Sequence, residues 1–299
     1  MKRMTQQVFT GERALFKACD LDLHYCTFAD GESPLKESTN IRLSDSSFKW
    51  KYPLWYSENI EIANTTWFEM ARAGVWYTKH IAITDSIIEA PKNFRRSQDI
   101  TLTNTTMPNA EETLWNCEGI VMNQVSAHGD YFAMNSTDIT IDGFSLVGNY
   151  SFDGTRNVTI KNARMLSKDA FWNAENVVVM DSYISGEYLG WNAKNVRFVN
   201  CTIESEQGMC YMDGITMEHC RLINTDLCFE YCCNVDATIE SIIDSVKNPY
   251  NGRIEAEGIG NVIFDDPHVD PSQTEIRLAP KCASNVCDAH DLFASRAAG

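Results

Sequence analysis

Ionisable side chains recur at similar intervals along much of the chain, and pairs of carboxyl groups at a suitable separation catalyse glycoside hydrolysis. If the chain folds as stacked coils, equivalent residues lie about 5 Å apart in adjacent coils and about 10 Å apart two coils away. Such a row of side chains would line one groove. The row consists of Glu12, Glu32, Arg72, Lys92, Glu111, Glu112, His128, Asp130, Lys168, Asp169, Glu187 and Asp226.

Four residues of this row are the candidate catalytic residues. Asp169 and Glu187 form the adjacent-coil pair, and Asp130 with Asp169 forms the pair two coils apart. In either pair, one carboxyl group would act as an acid and the other as a base or nucleophile. Lys168 is placed to hold a substrate carboxylate or to lower the pKa of a neighbour. The alternative interpretation is a solvated ladder of alternating charges without a catalytic role.

An aromatic column follows the ionisable row and suggests how a substrate would be held. If these rings face inward they form a core stack, and if they face outward they form a platform for sugar rings. Our candidate substrate-binding residues are Trp172 and Trp191 from the column, with Arg72, Arg95 and Glu112 beside it. The column consists of Phe16, Leu35, Trp55, Trp76, Phe94, Trp115, Phe132, Phe152, Trp172, Trp191, Tyr211 and Phe229.

A lyase reaction is another chemistry open to these residues. It would need a base, often Arg, Lys or His, and commonly calcium on acidic residues to neutralise a uronate. Lys92, Arg95, Arg96 and His128 are the available bases. Calcium is therefore expected only if the protein is a lyase, and no other cofactor is expected.

A repeat of about 19 residues provides the elements that would position these side chains. Apolar residues two apart mark one face of a strand, and another apolar residue follows five positions after most of these pairs. The aromatic column supplies a third strand in each coil. The apolar pairs begin at Leu21, Ile41, Ile60, Ile81, Ile100, Ile120, Ile139, Val158, Val177, Val196, Ile215 and Val235.

Asn, Asp and Gly recur on both sides of the first strand, as Asn59 and Asn64 do in one coil. These residues tolerate the left-handed backbone of a sharp corner, and stacked side-chain amides can hydrogen-bond along a column. Three short strands per coil without a helical stripe exclude the leucine-rich and helical solenoids. The sequence therefore predicts an all-β fold: a single-stranded right-handed parallel β-helix of about twelve coils.

The ends of such a stack need covering, because a bare coil offers unpaired strand edges. We expect residues 1–280 to form the β-helix, with an N-terminal cap in residues 1–12 and an irregular C-terminal cap after about Asn248. Residues 281–299 lose the repeat and are expected to form a C-terminal tail.

Charge and cysteine content limit the partners and the compartment. A net charge of −16 disfavours nucleic acid and anionic membranes as partners, and a polyanionic substrate would need a local basic cleft or a metal. No apolar run reaches membrane-spanning length, and no apolar stretch follows the basic N-terminus. We therefore expect a cytoplasmic protein whose eleven cysteines are reduced and, where clustered late in the chain, buried in the core.

Several longer runs resemble an uncharacterised bacterial family that carries only a domain-of-unknown-function label. The resemblance covers about residues 8 to 280 and places the chain among the pectin-lyase-like right-handed β-helices. Enzymes of this wider fold mostly cleave polysaccharides, so the resemblance implies hydrolase or lyase chemistry by analogy of fold alone. The runs are GERALFK (11–17), GESPLKES (31–38), YPLWY (52–56), RAGVWYT (72–78), APKNFRRS (90–97), LSKDAFWN (166–173) and GEYLGWN (186–192).

Three functional hypotheses follow from the sequence. The first is a carbohydrate-active hydrolase or lyase with convergent carboxylates in a groove along the β-helix. The second is a non-catalytic acidic scaffold that binds a basic protein through continuous negative potential. The third is a glycan-binding module whose tryptophans, among them Trp55 and Trp76, face outward.

Overall fold

A computed structural model describes residues 1–279, and the tail expected in residues 281–299 lies outside the described residues. The described chain is a right-handed parallel β-helix of about 15 turns with almost no helix. This confirms the predicted fold class. Each coil has a first side, a second side and a third side, named in chain order.

Strands occupy the first and second sides and pair in parallel with the coils above and below. The two three-residue 3-10 helices are Glu69–Ala71 and Pro271–Gln273. The strands are β1 (Lys2–Thr5), β2 (Val8–Phe9), β3 (Cys19–His24), β4 (Thr27–Phe28), β5 (Thr39–Ser44), β6 (Ser47–Phe48), β7 (Glu58–Ala63), β8 (Thr66–Trp67), β9 (Lys79–Thr84), β10 (Ile87–Ile88), β11 (Gln98–Met107), β12 (Glu118–His128), β13 (Thr137–Val147), β14 (Arg156–Leu166), β15 (Glu175–Met180), β16 (Tyr183–Leu189), β17 (Lys194–Val199), β18 (Thr202–Gly208), β19 (Asp213–Ile223), β20 (Cys233–Lys247), β21 (Gly252–Ile263) and β22 (Thr274–Leu278).

The core is a stack of apolar side chains in register. Ile41 on the first side pairs with Leu21 in the coil before it and with Ile60 in the coil after it. On the second side, Phe48 pairs in the same way with Phe28 and Trp67. All of these side chains are buried, so both predicted apolar columns are confirmed.

Corners of the coil are built by side-chain amides, as the sequence predicts. Asn59 and Asn64 have left-handed backbones, with φ of 55° and 49°. The Asn59 amide donates to Asn40 Oδ1 at 3.1 Å, and the Asn64 amide donates to Asp45 Oδ1 at 2.6 Å. These bonds link successive coils on the solvent side of the corners.

The third side differs from the predicted short strand. Tight turns form most of it. In most coils its strand-like pairing consists of isolated bridges such as Trp76 with Arg95, and toward the C-terminal end it becomes a ladder, in which Leu189 pairs with Gly208 and Val246 pairs with Val262. Left-handed residues recur there every second or fourth position, as at Lys92, Phe94 and Arg96. A backbone with alternating left-handed residues cannot sustain a strand, although it still stacks coil on coil.

The number of turns also exceeds the predicted twelve, because both ends carry further coils. β1 pairs with β3 at one end, and β20, β21 and β22 pair in succession at the other. The coil of β20 was predicted from the apolar pair at Val235. β1 shows no apolar pair, since only its Met4 is even partly buried. β21 buries Ile254 and Ala256, but Ile254 pairs with Ala237 at a spacing of 17 residues, which departs from the repeat of about 19.

The nine described cysteines are free thiols. Cys201, Cys220, Cys228 and Cys232 are buried in the core of the C-terminal coils, which agrees with the predicted core role of these thiols. Burial raises the pKa of the Cys117 and Cys210 thiols to about 12. Within residues 1–279, no helix is long and apolar enough to cross a membrane.

Candidate functional site

The aromatic column predicted for the third side is in fact two columns that face opposite ways. Phe94, Phe152 and Phe229 point inward and are completely buried. Trp55 and Trp76 lie one position further along their coils and are only half-buried on the outside. The coils differ in length by one or two residues. A column defined by the aromatic residue of each coil therefore combines inward-facing and outward-facing positions.

Outward-facing aromatic residues form a ladder along the third side, which we call the aromatic ribbon. Trp55 and Trp76 stack with ring centroids 5.0 Å apart and planes 6° apart. The Trp76 Nε1–H donates to the Lys92 carbonyl oxygen at 2.9 Å, so the rings are held against the backbone. The ribbon consists of Tyr52, Trp55, Trp76, Trp115, Tyr131, Tyr150, Trp172, Trp191, Tyr211, Tyr231 and Tyr250.

Arg95 occupies one position of the ribbon between two tryptophans. Its guanidinium carbon lies 5.1 Å from the Trp76 ring centroid and 4.4 Å from that of Trp115. Its Nη2 also forms an ion pair with Glu112, and Glu112 accepts a second bond from Lys92 Nζ at 3.0 Å. The facing surfaces of both rings are thus occupied by a cation, which leaves no free aromatic platform at this point.

A cleft of about 410 Å³ opens beside these rings, and we call it the cationic cleft. Its lining is Tyr52, Trp55, Arg72, Ala73, Trp76, Lys92 and Arg95. Within the described chain, Glu112 is the one carboxylate paired with Lys92 and Arg95, and Arg72 has no carboxylate at ion-pair distance. Aromatic ring edges carry positive partial charge. The cleft is therefore an electropositive spot on a strongly acidic protein.

Lys168, Asp169 and Glu187 come together in a later part of the third side. Lys168 Nζ lies 2.6 Å from a carboxylate oxygen of Glu187, and this bond raises the pKa of Lys168. Asp169 is only 8% exposed. Its burial raises the pKa of the carboxyl group, Lys168 opposes that shift, and Glu187 adds to it. The buried carboxyl group of Asp169 thus lies beside the contact between Lys168 and Glu187.

A smaller cleft of about 160 Å³ adjoins this group, and we call it the acidic cleft. It is lined by Glu187, Tyr188, Glu206, Gln207, Asp226 and Leu227. Although three of these side chains are acidic, no group of three His, Cys, Asp or Glu residues among residues 1–279 is arranged to hold a metal ion.

Asp130 belongs to a different column from Asp169. Backbone bonds from Tyr131 to Asn149 and from Tyr150 to Lys168 align Asp130 with Lys168, two coils away. The Asp130 carboxylate accepts from the Asn149 backbone N–H at 2.7 Å, so it joins adjacent coils.

Trp172 and Trp191 face outward in the ribbon near the acidic cleft. Their ring centroids are 6.4 Å apart and their planes are 70° apart. Trp191 also packs against Tyr188 and Tyr211. The aromatic surface here is less regular than the parallel stack of Trp55 and Trp76.

A family model described as a protein of unknown function (DUF3737) matches residues 2–277. The chain belongs to this family. The match confirms the resemblance found in the sequence, and the family description assigns no activity. No curated protein has a significant match to the sequence.

Solved β-helices share the general architecture at low similarity. PfbA, a surface adhesin of Streptococcus pneumoniae, is 11% identical with a TM-score of 0.40, over 76% of this chain and 71% of that one. The A-module of the mannuronan C-5 epimerase AlgE4 of Azotobacter vinelandii is 9% identical with a TM-score of 0.40, over 77% of this chain and 83% of that one.

The sequence-predicted site residues of this DUF3737 member thus fall into two groups on one side of the rod. Arg72, Arg95 and Glu112 lie at the cationic cleft. Glu187 lines the acidic cleft, and Lys168, Asp169, Trp172 and Trp191 lie beside it. Asp130 lines neither cleft. Sequence reasoning did not select Tyr52 for the site, and it considered Lys92 only as a possible base of a lyase. Lys92 lies one coil away from Arg72 in the same ionisable row, which could have marked it as a binding residue.

Proposed function

We propose that this protein binds an acidic glycan chain along its third side, with the cationic cleft holding a carboxylate of the sugar. The observation that carries the proposal is the charge of that cleft. Arg72, Lys92 and Arg95 line it and have one carboxylate partner in a chain of net charge −16. Such a local reversal of charge favours an anionic ligand.

The shape of the surface favours an extended ligand. The cleft is open and lies on a stack of coils spaced about 4.8 Å apart, close to the length of one sugar residue. Bidentate guanidinium groups suit a planar carboxylate, and the tryptophan edges offer apolar contact beside them. A chain of sugar residues could follow the rod beyond the cleft. The same positive cleft interrupts the continuous negative potential that an acidic scaffold would need.

The test is binding of oligogalacturonate, measured by isothermal titration calorimetry, against a neutral oligosaccharide of equal length. We expect binding of the acidic chain alone, weakening with salt. The Arg72→Gln/Lys92→Gln double variant should weaken binding by about tenfold or more, because each charge-assisted bond contributes about 1.5–3 kcal/mol. Lys161→Gln, on an exposed part of β14, is the matched control and should bind normally. Equal binding by the double variant and the control would overturn the proposal.

Hydrolysis of the bound glycan at the acidic cleft is a second candidate function. It is favoured by the buried Asp169, whose raised pKa suits a general acid, beside Glu187, which pairs with Lys168. Different environments for two neighbouring carboxyl groups are a usual mark of an acid and a base or nucleophile. Asp169→Asn and Glu187→Gln would be assayed for release of reducing ends from a glycan library. Unchanged turnover in both variants would exclude this candidate.

A further inference from the structure

A serine, a histidine and an aspartate on the first side form a hydrogen-bonded relay that the proposed glycan site does not use. His24 Nε2 lies 2.8 Å from Asp22 Oδ1, and His24 Nδ1 lies 2.7 Å from Ser44 Oγ. If Ser44 donates its proton to Nδ1, then Nε2 carries the ring proton and donates to Asp22. These are the contacts that activate a serine nucleophile.

The β-helix produces this relay by two simple rules. Asp22 and His24 are two positions apart in β3, so both side chains point outward on the same face. The parallel register then places Ser44 of β5 directly beside His24 in the next coil. Asp22 and His24 are only 28% and 23% exposed, which limits competition by water for the hydrogen bonds.

A cavity of about 370 Å³ lies against the relay and gives a substrate somewhere to sit. It is lined by Asp22, His24 and Ser44 and also by Arg42, Ala63 and Ala82. Ala63 pairs with Ser44, and Ala82 pairs with Glu61 in the next column. These two small side chains leave a depression in the surface, with room for an ester that carries a short acyl chain.

Arg42 provides hydrogen-bond donors at the same cavity. Its Nε binds Glu61 at 2.8 Å, and within residues 1–279 its Nη groups have no other protein partner at hydrogen-bond distance. They are available to a substrate carbonyl oxygen that becomes negatively charged as a nucleophile attacks.

We propose that Ser44 is the nucleophile of a second site, which hydrolyses carboxylic esters with a short acyl chain. Ser44 Oγ forms a bond to the carbonyl carbon as its proton passes to His24 Nδ1. The ester C–O bond then breaks, and His24 returns that proton to the leaving alcohol. Water, deprotonated by His24, attacks the acyl-serine, and its proton returns to Ser44 as the carboxylic acid leaves.

The full chain would be tested with p-nitrophenyl acetate and with a fluorophosphonate probe that labels activated serines. Wild-type protein should hydrolyse the ester and be labelled at Ser44. Ser44→Ala should lose the labelling and at least tenfold of the rate, and His24→Gln should lose a similar part of the rate. Ser47→Ala is the matched control, because the side chain of this serine of β6 bonds only a threonine hydroxyl in the described chain, and it should behave as wild type.

A cavity variant separates a functional relay from a purely structural one. Ala82→Leu fills the depression without touching the relay, so it should slow p-nitrophenyl butyrate more than p-nitrophenyl acetate. Absence of hydrolysis and labelling in folded wild-type protein would overturn the proposal. A rate that is the same in Ser44→Ala as in wild type would also overturn it.

Discussion

The two clefts on the third side stand on the same scaffold and yet have opposite chemistry. At the cationic cleft, Arg95 lies between two tryptophan rings and its ion pair with Glu112 is largely shielded, with both side chains near 22–23% exposed. At the acidic cleft, the ion pair of Lys168 and Glu187 is 40% and 41% exposed. The fold of the coil determines which side chains stack on one another. The residue types at those positions then determine the charge of each cleft and how exposed its ion pair is.

Substitutions at the two clefts should differ most in their effect on the free energy of unfolding. Arg95→Met removes two cation–π contacts and one ion pair, and we expect it to lower the free energy of unfolding by about 2 kcal/mol. This figure is below that for a fully buried ion pair, because water still reaches the site. The measurement is the midpoint of urea unfolding followed by circular dichroism.

Lys168→Met is the matched control for Arg95→Met. It breaks an ion pair between adjacent coils that solvent already screens, so we expect no measurable change in the unfolding midpoint. Equal destabilisation by the two variants would show that burial does not distinguish the clefts.

A smaller effect, with a defined pH dependence, is expected at Asp169. Burial raises its pKa in the folded protein above its ordinary value of 3.8, so the folded chain holds this proton more tightly than the unfolded chain. Its contribution to stability is therefore fully present below pH 3.8 and is lost as pH rises through the folded-state pKa. Asp169→Asn cannot ionise, and it should melt at a higher temperature than wild type at neutral pH.

Comparing melting temperatures at several pH values separates this effect from backbone preference. Residue 169 has a left-handed φ of 56°, which asparagine tolerates well at every pH. A gain in melting temperature from that source would be the same at every pH. The gain predicted from burial of the carboxylate instead shrinks as pH falls toward 3.8. A gain that does not change with pH would contradict the prediction.

Most of the fold could be predicted from the sequence, because the stack makes distant residues neighbours. Ile41 and Ile60 pair in the register that their spacing indicates, and the Asn59 and Asn64 ladders lie at the expected corners. The outermost coils were not found in this way. β1 buries too little apolar surface to show the alternating pattern. β21 does bury Ile254 and Ala256, but Ile254 pairs with Ala237 only 17 residues earlier, so it falls outside the repeat of about 19.

The candidate site was predictable only in part, because a shift of one residue turns a side chain from the core to the surface. Phe94 and Trp76 were placed in one column, but the first is buried and the second faces outward. The relay of His24 with Ser44 was missed entirely. Residue spacing does place these two side chains in adjacent coils, although nothing in their types distinguishes them from ordinary surface residues.

Oxidative footprinting of the tryptophans tests the central claim, a charge-selective glycan site at one end of the ribbon, most directly. Hydroxyl radicals would be generated with and without oligogalacturonate, and oxidation of each tryptophan would be read by mass spectrometry. We predict protection of Trp55 and Trp76, which line the cationic cleft, and no change at Trp50, which lies outside the ribbon and is 37% exposed. Protection at Trp172 and Trp191 alone, or protection at none of these residues under saturating ligand, would contradict the account.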